Sequence, residues 1–349
     1  MKLKHFIESS IAMLLAAPAF SQNVSFAQTP DPNFFIYLGF GQSNMQGKGV
    51  IEYRDRDING KNFGKDSWDR YWKLIVYDYD KSKIGTWATA LPPIVRPDTG
   101  LGPTDYFGRY LVTNLNSMYK IGVAVVAVDG ASIQAFDTDS TTAASYITKA
   151  DSWVVNAGAC YDNYPYGKLV EMGRIAQKSG VIKGIIFHQG ESDVTGATQA
   201  SANLWYQRVT KIYRSILEDL NLSADSVPFI AGEPLYSEKG GACGSAVQWV
   251  DKLPDYMNRE MGTKCCYVVS ASNLDAMDQY HFTSGSYRIL GNRYGKIALE
   301  ILHNQGIAGV FTSQTDEGCH SIFNLNGQAL DAPQQGLNII DGRKYYMTF

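Results

Sequence analysis

The sequence has no excess of charge of one sign and no long apolar run. Its 349 residues contain 31 Lys and Arg against 34 Asp and Glu, a net charge of −3. Proteins that bind nucleic acids usually carry a basic patch, and no polybasic cluster occurs here. No apolar run reaches the roughly 20 residues that a membrane-spanning helix needs. We therefore expect no nucleic-acid partner, no membrane insertion and a small or neutral substrate.

Cysteine is scarce, and its spacing is not that of a zinc site. No Cys-x-x-Cys pair occurs, and His188, Glu191 and Asp193 lack a recognised ligand spacing. We therefore expect no metal and no cofactor. The odd number of cysteines leaves at least one free or paired between molecules, while disulfides stay possible in an exported chain. The cysteines are Cys160, Cys243, Cys265, Cys266 and Cys319.

The amino terminus has the features of a secretory signal. Basic residues precede an apolar run at 11–20, and small residues follow as far as Ala27. A charged start, a short apolar segment and small residues at the cleavage site are typical of signal peptides. We predict that residues 1–27 are a signal peptide and that the protein is secreted, to the medium or the cell surface, after periplasmic export. The alternative is a buried or disordered helix.

Alternating patterns in the rest of the chain predict an α/β fold. Short, continuous apolar runs indicate strands buried on both faces, and the segments between them have helical periodicity. Such alternation predicts a three-layer α/β/α domain over 28–305, with a mostly parallel, roughly five-stranded central sheet. The expected strands are 34–40, 121–128, 182–188, 227–231 and 265–271. The expected helices are 104–117, 166–179, 197–220, 246–261 and 284–305.

Three segments fall outside this pattern. Residues 49–100 and 133–165 read as long irregular excursions, which in compact domains are usually functional, so we expect them to wall the substrate site. Residues 306–349 contain Asn-Gly and Asp-Gly turn signals between strand-like segments. We predict that they form a small separate β tail.

Four polar motifs each follow a predicted strand. They are GQSNMQG from Gly41, DGAS from Asp129, HQGESD from His188 and DQYH from Asp278. Ligands of open parallel sheets bind beyond the carboxyl ends of the strands, so these motifs are expected to meet there.

Ser43 is the candidate nucleophile. It lies at a strand-to-helix junction, where its hydroxyl would be exposed and its own N–H could face an oxyanion. The motif is not the G-x-S-x-G elbow, because Met45 occupies the last glycine position. The alternative is that Ser43 serves only as an N-cap.

Asp278 and His281 are a candidate acid and base. Their spacing allows one loop to hold the carboxylate against an imidazole nitrogen. Alternatively, Asp278 is a turn residue and His281 its structural partner.

The HQGESD motif supplies candidate residues that would surround the reacting groups. The Gln189 amide could donate to an oxyanion, and Gly190 would let the substrate approach the backbone. Glu191 is expected to anchor the loop by hydrogen bonds. His188 would be a buried polar group lining the site.

Taken together, the four motifs resemble the SGNH-hydrolase superfamily, with its flavodoxin-like fold, over residues 33–305. Within it they resemble the sialate O-acetylesterase-like branch, which includes acetylxylan esterases of carbohydrate esterase family six. The resemblance implies Ser43 as nucleophile, His281 as general base and acid, and Asp278 as its orienter. It also implies an oxyanion hole from the Ser43 N–H, a Gly130 N–H and the Gln189 side chain.

The same resemblance implies a function. The residues that would support the nucleophile are Gln42, Asn44, His188, Gly190 and Glu191. The implied protein is a serine carbohydrate esterase that removes O-acetyl groups from a plant cell-wall polysaccharide, with acetylxylan as first candidate. Alternatives are a sialate O-acetylesterase and a non-catalytic carbohydrate-binding protein on the same fold. The chain departs from the family at Asp129, where related motifs often have glycine.

The tail resembles the sorting signal of type IX secretion in Bacteroidota-like bacteria, through NLNGQAL and GLNIIDGRKYY. This resemblance implies that the secretion machinery is a partner. The alternative is a β appendage packed on the domain.

Overall fold

The computed structural model describes residues 29–56, 69–194 and 199–307, together with four short strands of the tail. The predicted signal peptide lies outside the described residues. No helix in the described part of the chain is long and apolar enough to cross a membrane.

The domain is organised around a seven-stranded sheet. Its order is β3-β2-β4-β1-β5-β6-β7, and every pair is parallel except β2 with β3. The strands are β1 Phe34–Gly41, β2 Tyr71–Leu74, β3 Trp87–Thr89, β4 Lys120–Ala127, β5 Val181–His188, β6 Phe229–Gly232 and β7 Cys266–Val269.

Strand β1 shows why the sheet is buried on both faces. Successive side chains of a strand point to opposite faces. Ile36 and Leu38 accordingly pack in one apolar cluster, and Phe35 and Tyr37 pack in another. All eight residues of β1 are buried, as the continuous apolar run predicts.

Helices cover each face, which confirms the three-layer α/β/α architecture. Pro103–Asn114 and Ser284–Asn304 pack in the cluster that contains Phe35. Pro165–Gln177, Gln199–Asp219 and Ser245–Met261 pack in the cluster that contains Ile36. Shorter helices are Ser43–Gln46, Tyr53–Arg56, Ser140–Ile147, Ser152–Ala159 and Glu191–Val194.

The two excursions contain more structure than the sequence pattern predicts. Strands β2 and β3 come from the 49–100 segment and extend the expected five strands to seven. They have only four and three residues, mostly half-buried, so neither gives a continuous apolar run. The 133–165 segment contains the helices Ser140–Ile147 and Ser152–Ala159, whose small and polar residues give a weak helical pattern.

The topology places the motifs at one edge. Strand β1 lies between β4 and β5, and β4 is connected to β5 across it. Gly41 pairs in register with Ala127 and with His188. The carboxyl ends of the three strands are therefore level, and the loops after them meet at the position where open α/β sheets bind ligands.

The tail contains β-structure, and its cysteine lies outside the described residues. Strands β8 Ile322–Asn324, β9 Ala329–Leu330, β10 Gly336–Ile340 and β11 Arg343–Met347 form an antiparallel sheet in the order β11-β10-β8-β9. The division of the chain at residue 306 stays a prediction. The four described cysteines, which the sequence left open for disulfides, are free thiols: Cys160, Cys243, Cys265 and Cys266.

Candidate active site

A cavity of about 730 Å³ opens at this edge of the sheet. Five of the residues expected to form the site line it, and they come from all four motifs. These residues are Gln42, Ser43, Gly130, Glu191 and His281. The other candidates lie behind the wall, either adjoining the lining residues or buried beneath them.

Ser43 begins a helix of one turn directly after β1. The turn is tight: a Cβ on Gly41 would lie 2.1 Å from the carbonyl oxygen of His188, so a side chain is excluded there. The N-cap of the helix Ser43–Gln46 is Gln42, not Ser43. The alternative that Ser43 serves only as an N-cap is therefore wrong, and its hydroxyl is left at the cavity wall.

Asp278 holds the imidazole of His281. The two carboxylate oxygens lie 3.0 and 2.8 Å from His281 Nδ1, and the backbone N–H groups of Tyr280 and His281 also donate to Oδ1. Burial alone would raise the pKa of Asp278, but these hydrogen bonds outweigh it and hold the pKa below its usual value. An ionised Asp278 fixes the proton on Nδ1 and leaves Nε2 as the basic nitrogen.

Asn44 connects the serine turn to two other segments. Its amide nitrogen donates to Glu191 Oε1 at 2.6 Å and to the carbonyl oxygen of Tyr280 at 2.9 Å. Its oxygen accepts from the Tyr287 hydroxyl at 2.6 Å, which fixes the orientation of the amide. Tyr280 adjoins His281, so Asn44 ties the loop that carries His281 to the turn that carries Ser43.

His188 and Glu191 form a buried polar pair under the site. The Tyr294 hydroxyl donates to the Phe187 carbonyl at 2.6 Å, so it accepts from His188 Nδ1 at 3.2 Å. Burial lowers the pKa of His188 to about 3, and the imidazole is neutral. Burial also raises the pKa of Glu191. In the described ranges no cluster of three or more His, Cys, Asp or Glu is placed to hold a metal.

Two backbone N–H groups are available at the cavity. Among the described residues, neither the Ser43 N–H nor the Gly130 N–H has a hydrogen-bond acceptor, and both residues line the wall. Gly130 has a φ of 65°, and a Cβ there would lie 2.3 Å from Trp153 Nε1. Only glycine fits this position, since the indole of Trp153 packs directly on it.

Gln189 is buried behind this wall. Trp205 Nε1 donates to its oxygen at 2.9 Å, so the amide nitrogen points away from Trp205, toward Gln42 Oε1 at 3.1 Å. The same nitrogen also lies within hydrogen-bond distance of the Ala131 carbonyl and of Asp193. Donation from Gln189 to an oxyanion would replace one of these bonds, and that role stays a prediction.

Gly190 helps to fix the conformation of the HQGESD loop. It lies between β5 and the helix Glu191–Val194 with a φ of 144°, and its carbonyl accepts from the N–H groups of Asp193 and Val194. Asp193 also accepts from the N–H of Ile133, and burial raises its pKa to about 6. The HQGESD motif therefore anchors its own loop and the segment that follows Gly130.

Asp129, the departure from the family pattern, forms an ion pair with Lys48. Both side chains are partly exposed and both line the cavity. The pair closes the wall between the segments that follow β1 and β4. Asp151, at the start of the helix Ser152–Ala159, adds a further carboxylate to the same wall.

Of the described aromatic residues in the two excursions, Trp153 and Tyr146 line this cavity, and Trp153 has 53% of its surface exposed. Tyr161 and Tyr166 are buried in the core, and Trp87 packs against Phe34 at a ring distance of 4.8 Å. The neighbouring sequence does not show which aromatic ring faces the cavity and which is buried, because each is an aromatic residue in a polar segment.

Four residues that hold the site together were not identified from the sequence. Tyr287 and Tyr294 lie on the helix Ser284–Asn304, Trp205 on Gln199–Asp219, and Lys48 just after the serine turn. The two tyrosines and Trp205 read as core positions of amphipathic helices. The hydroxyl or indole N–H that each directs at the site gives no separate signal in the sequence.

Comparison with known proteins identifies the family. Solved structures with the same fold include a protein of Arabidopsis thaliana, at TM-score 0.53 and 20% identity over 77% of this chain and 99% of that one. NanS is similar at TM-score 0.50 and 15% identity, over 78% and 99%. Residues 33–300 match the family described as "Carbohydrate esterase, sialic acid-specific acetylesterase". The protein therefore belongs to this family and is a carboxylic ester hydrolase, a carbohydrate O-acetyl esterase.

Proposed function

We propose that the protein is a serine esterase that removes O-acetyl groups from a neutral plant cell-wall polysaccharide, with acetylxylan as the substrate. The single observation that carries this proposal is that the groups needed for acyl transfer meet at the wall of one cavity. Ser43, the Asp278-bonded His281 and the acceptor-free N–H groups of Ser43 and Gly130 all belong to it. These are the nucleophile, base and oxyanion donors that acyl transfer requires.

In the first half of the reaction, His281 Nε2 takes the proton of Ser43 Oγ as the oxygen attacks the acetyl carbonyl carbon. The carbonyl oxygen becomes an oxyanion and accepts from the N–H groups of Ser43 and Gly130. Collapse of this intermediate breaks the bond to the sugar oxygen, which leaves with the proton from His281. The product is an acetyl-serine and a free sugar hydroxyl.

In the second half, water replaces the sugar. His281 removes a proton from the water, whose oxygen attacks the acetyl-serine carbonyl, and the same two N–H groups stabilise the oxyanion. Ser43 leaves with the proton from His281, and acetate is released. Asp278 stays ionised throughout and stabilises the imidazolium that forms in each half.

The charge of the wall favours a neutral sugar. Lys48 is the only Lys or Arg among the described lining residues, and Asp129 already neutralises it. Asp151 adds a carboxylate with no matching cation in that lining. A sugar that carries its own carboxylate would meet repulsion here, whereas a neutral sugar would not.

Sialate O-acetyl ester hydrolysis is the second candidate, because the matched family is described as sialic acid-specific. The two candidates differ in the charge of the substrate. Comparing kcat/KM for acetylated xylan and for O-acetylated sialic acid, each by acetate release, separates them. A kcat/KM for the sialate equal to or above that for xylan would contradict the preference for a neutral sugar.

The nucleophile is tested by Ser43→Ala. We expect a loss of acetate release of at least about 10³-fold, because Ser43 Oγ is the oxygen that carries the acetyl group in the proposed mechanism. Ser82→Ala, in an exposed turn, is the matched control and should retain full activity. Wild-type activity in Ser43→Ala would refute the mechanism.

Tight glycan binding by a wild-type protein that is inert toward p-nitrophenyl acetate would favour the alternative of a non-catalytic carbohydrate-binding protein.

We also propose that the chain is exported, through the signal at 1–27 and the tail at 306–349. Export would place the enzyme where polysaccharides occur. Sequencing of the mature amino terminus tests the first signal, and retention of Met1 in the exported protein would contradict it. Deleting residues 306–349 in a host with type IX secretion tests the second, since release to the medium should be lost.

A further inference from the structure

A second groove adjoins the catalytic cavity. It has a volume of about 550 Å³, and Tyr146 lines both spaces. Its walls come from the turn Ile133–Phe136 and the helix Ser140–Ile147, within the 133–165 excursion. The two spaces thus share one half-buried tyrosine.

The lining of this groove suits a polyhydroxylated ligand. Gln134, Thr141, Thr142 and Ser145 offer an amide and three hydroxyls, and none of the described lining residues is a carboxylate. Thr141, Thr142 and Ser145 are solvent-exposed. Hydroxyls and amides both donate and accept hydrogen bonds, as sugar hydroxyls do. Lys149, which donates to Ser145 at 3.0 Å, supplies a further donor at the rim.

Tyr146 is hydrogen-bonded to the segment that follows Gly130. Its hydroxyl accepts from the N–H of Ser132 at 2.9 Å, two residues beyond Gly130. Aromatic rings offer an apolar face to the carbon-bound hydrogens of a sugar ring. Since Trp153 covers Gly130 on the same wall, a glycan chain leaving Ser43 would cross aromatic surface before reaching the groove.

We propose that this groove is a subsite for the sugar residue next to the acetylated one, so that the enzyme acts on glycan chains in preference to single sugars. The proposal rests on the proposed esterase function and deepens it. The acetylated residue lies at Ser43, the chain passes over Tyr146, and the hydroxyls of the neighbouring residue bond to Gln134, Thr142 and Ser145.

The test is chain-length dependence. We expect kcat/KM for an acetylated xylotriose to exceed that for acetylated xylose by about tenfold, since a few hydrogen bonds and a ring contact commonly make that difference. Ser145→Tyr, which fills the groove from an exposed helical position, should bring the ratio close to one, mainly by raising KM for the trisaccharide. Ser82→Tyr is the matched control and should keep the wild-type ratio.

Two outcomes would overturn the proposal, and they differ from failure of the esterase function. A wild-type enzyme with equal kcat/KM for the single sugar and the trisaccharide has no second subsite. A ratio unchanged in Ser145→Tyr and in Gln134→Ala places the subsite elsewhere. By contrast, a wild-type enzyme inactive on both substrates and on p-nitrophenyl acetate would refute the proposed function itself, and the groove proposal with it.

Discussion

The Asn44 side-chain amide donates to the Glu191 carboxylate at 2.6 Å, across a distance of 147 residues in the chain. The same nitrogen donates to the Tyr280 carbonyl, so one buried amide joins the Ser43 turn, the HQGESD loop and the loop that carries His281. Both of its protons are engaged. The relative position of the segments that carry Ser43 and His281 therefore depends on a residue that does not itself line the cavity.

Replacing Asn44 by Asp should abolish this connection. The carboxylate has the shape of the amide but cannot donate, and it would face Glu191 in a buried site. We expect kcat to fall by about 10² or more, with a loss of stability of roughly 3 kcal/mol. Activity and urea unfolding measure the two effects. Asn304→Asp, at an exposed helix end, is the control, and full activity in Asn44→Asp would contradict the role of the amide.

Gly130→Ala should disrupt the proposed oxyanion site. The new methyl group would collide with Trp153, and the φ of 65° disfavours alanine. We expect a loss of about 10²–10³ in kcat, as for removal of one oxyanion donor. Gly262→Ala shares the positive φ, 71°, but has nothing within 4 Å of the added carbon. A similar loss of activity in both variants would show that backbone strain alone is responsible.

Asp129→Asn should release Lys48 from its ion pair. The freed ammonium could then meet a sugar carboxylate, so we expect the preference for acetylated xylan over acetylated sialic acid to fall by about tenfold, a change of 1.4 kcal/mol. The double variant with Lys48→Met should restore the preference, because the cation is gone. An unchanged ratio of the two kcat/KM values in Asp129→Asn would show that the pair does not set charge selectivity.

Asp105 should make stability depend on pH. This buried carboxyl accepts from the Gly102 N–H at 2.8 Å, yet burial raises its pKa to about 7. Since the folded pKa exceeds the unfolded value of 3.8, its stabilising contribution is full below pH 4 and is lost as the pH rises to 7. The loss is roughly 4 kcal/mol at most, at about 1.4 kcal/mol per pKa unit.

Asp105→Asn keeps the hydrogen-bond acceptor and removes the titration. The variant should gain stability over the wild type at pH 8 but not at pH 4, as measured by urea unfolding. Asp69→Asn, at an exposed position, controls for the change of net charge. An equal stability difference at the two pH values would contradict the raised pKa.

The sequence predicts the fold well where strands are long and buried on both faces. Strand β1 shows this, and the motifs after β1, β4 and β5 were correctly expected at one edge. The short strands β2 and β3 were not predicted, because three or four mostly half-buried residues give no clear hydrophobic periodicity. The partners of the site escaped for another reason: Tyr287 reads as a core residue, and its bond to Asn44 depends on how a distant helix packs.

The hydrogen bonds of Asn44 also affect the order in which the protein folds and becomes active. Its three hydrogen bonds close loops of 147, 236 and 243 residues. Contacts so distant in sequence form late, because the entropy of closing a long loop must be offset by structure already in place. A chain released before residue 287 could build most of the sheet and still lack a fixed serine turn. During refolding, the recovery of esterase activity should therefore lag behind the recovery of helical and sheet structure.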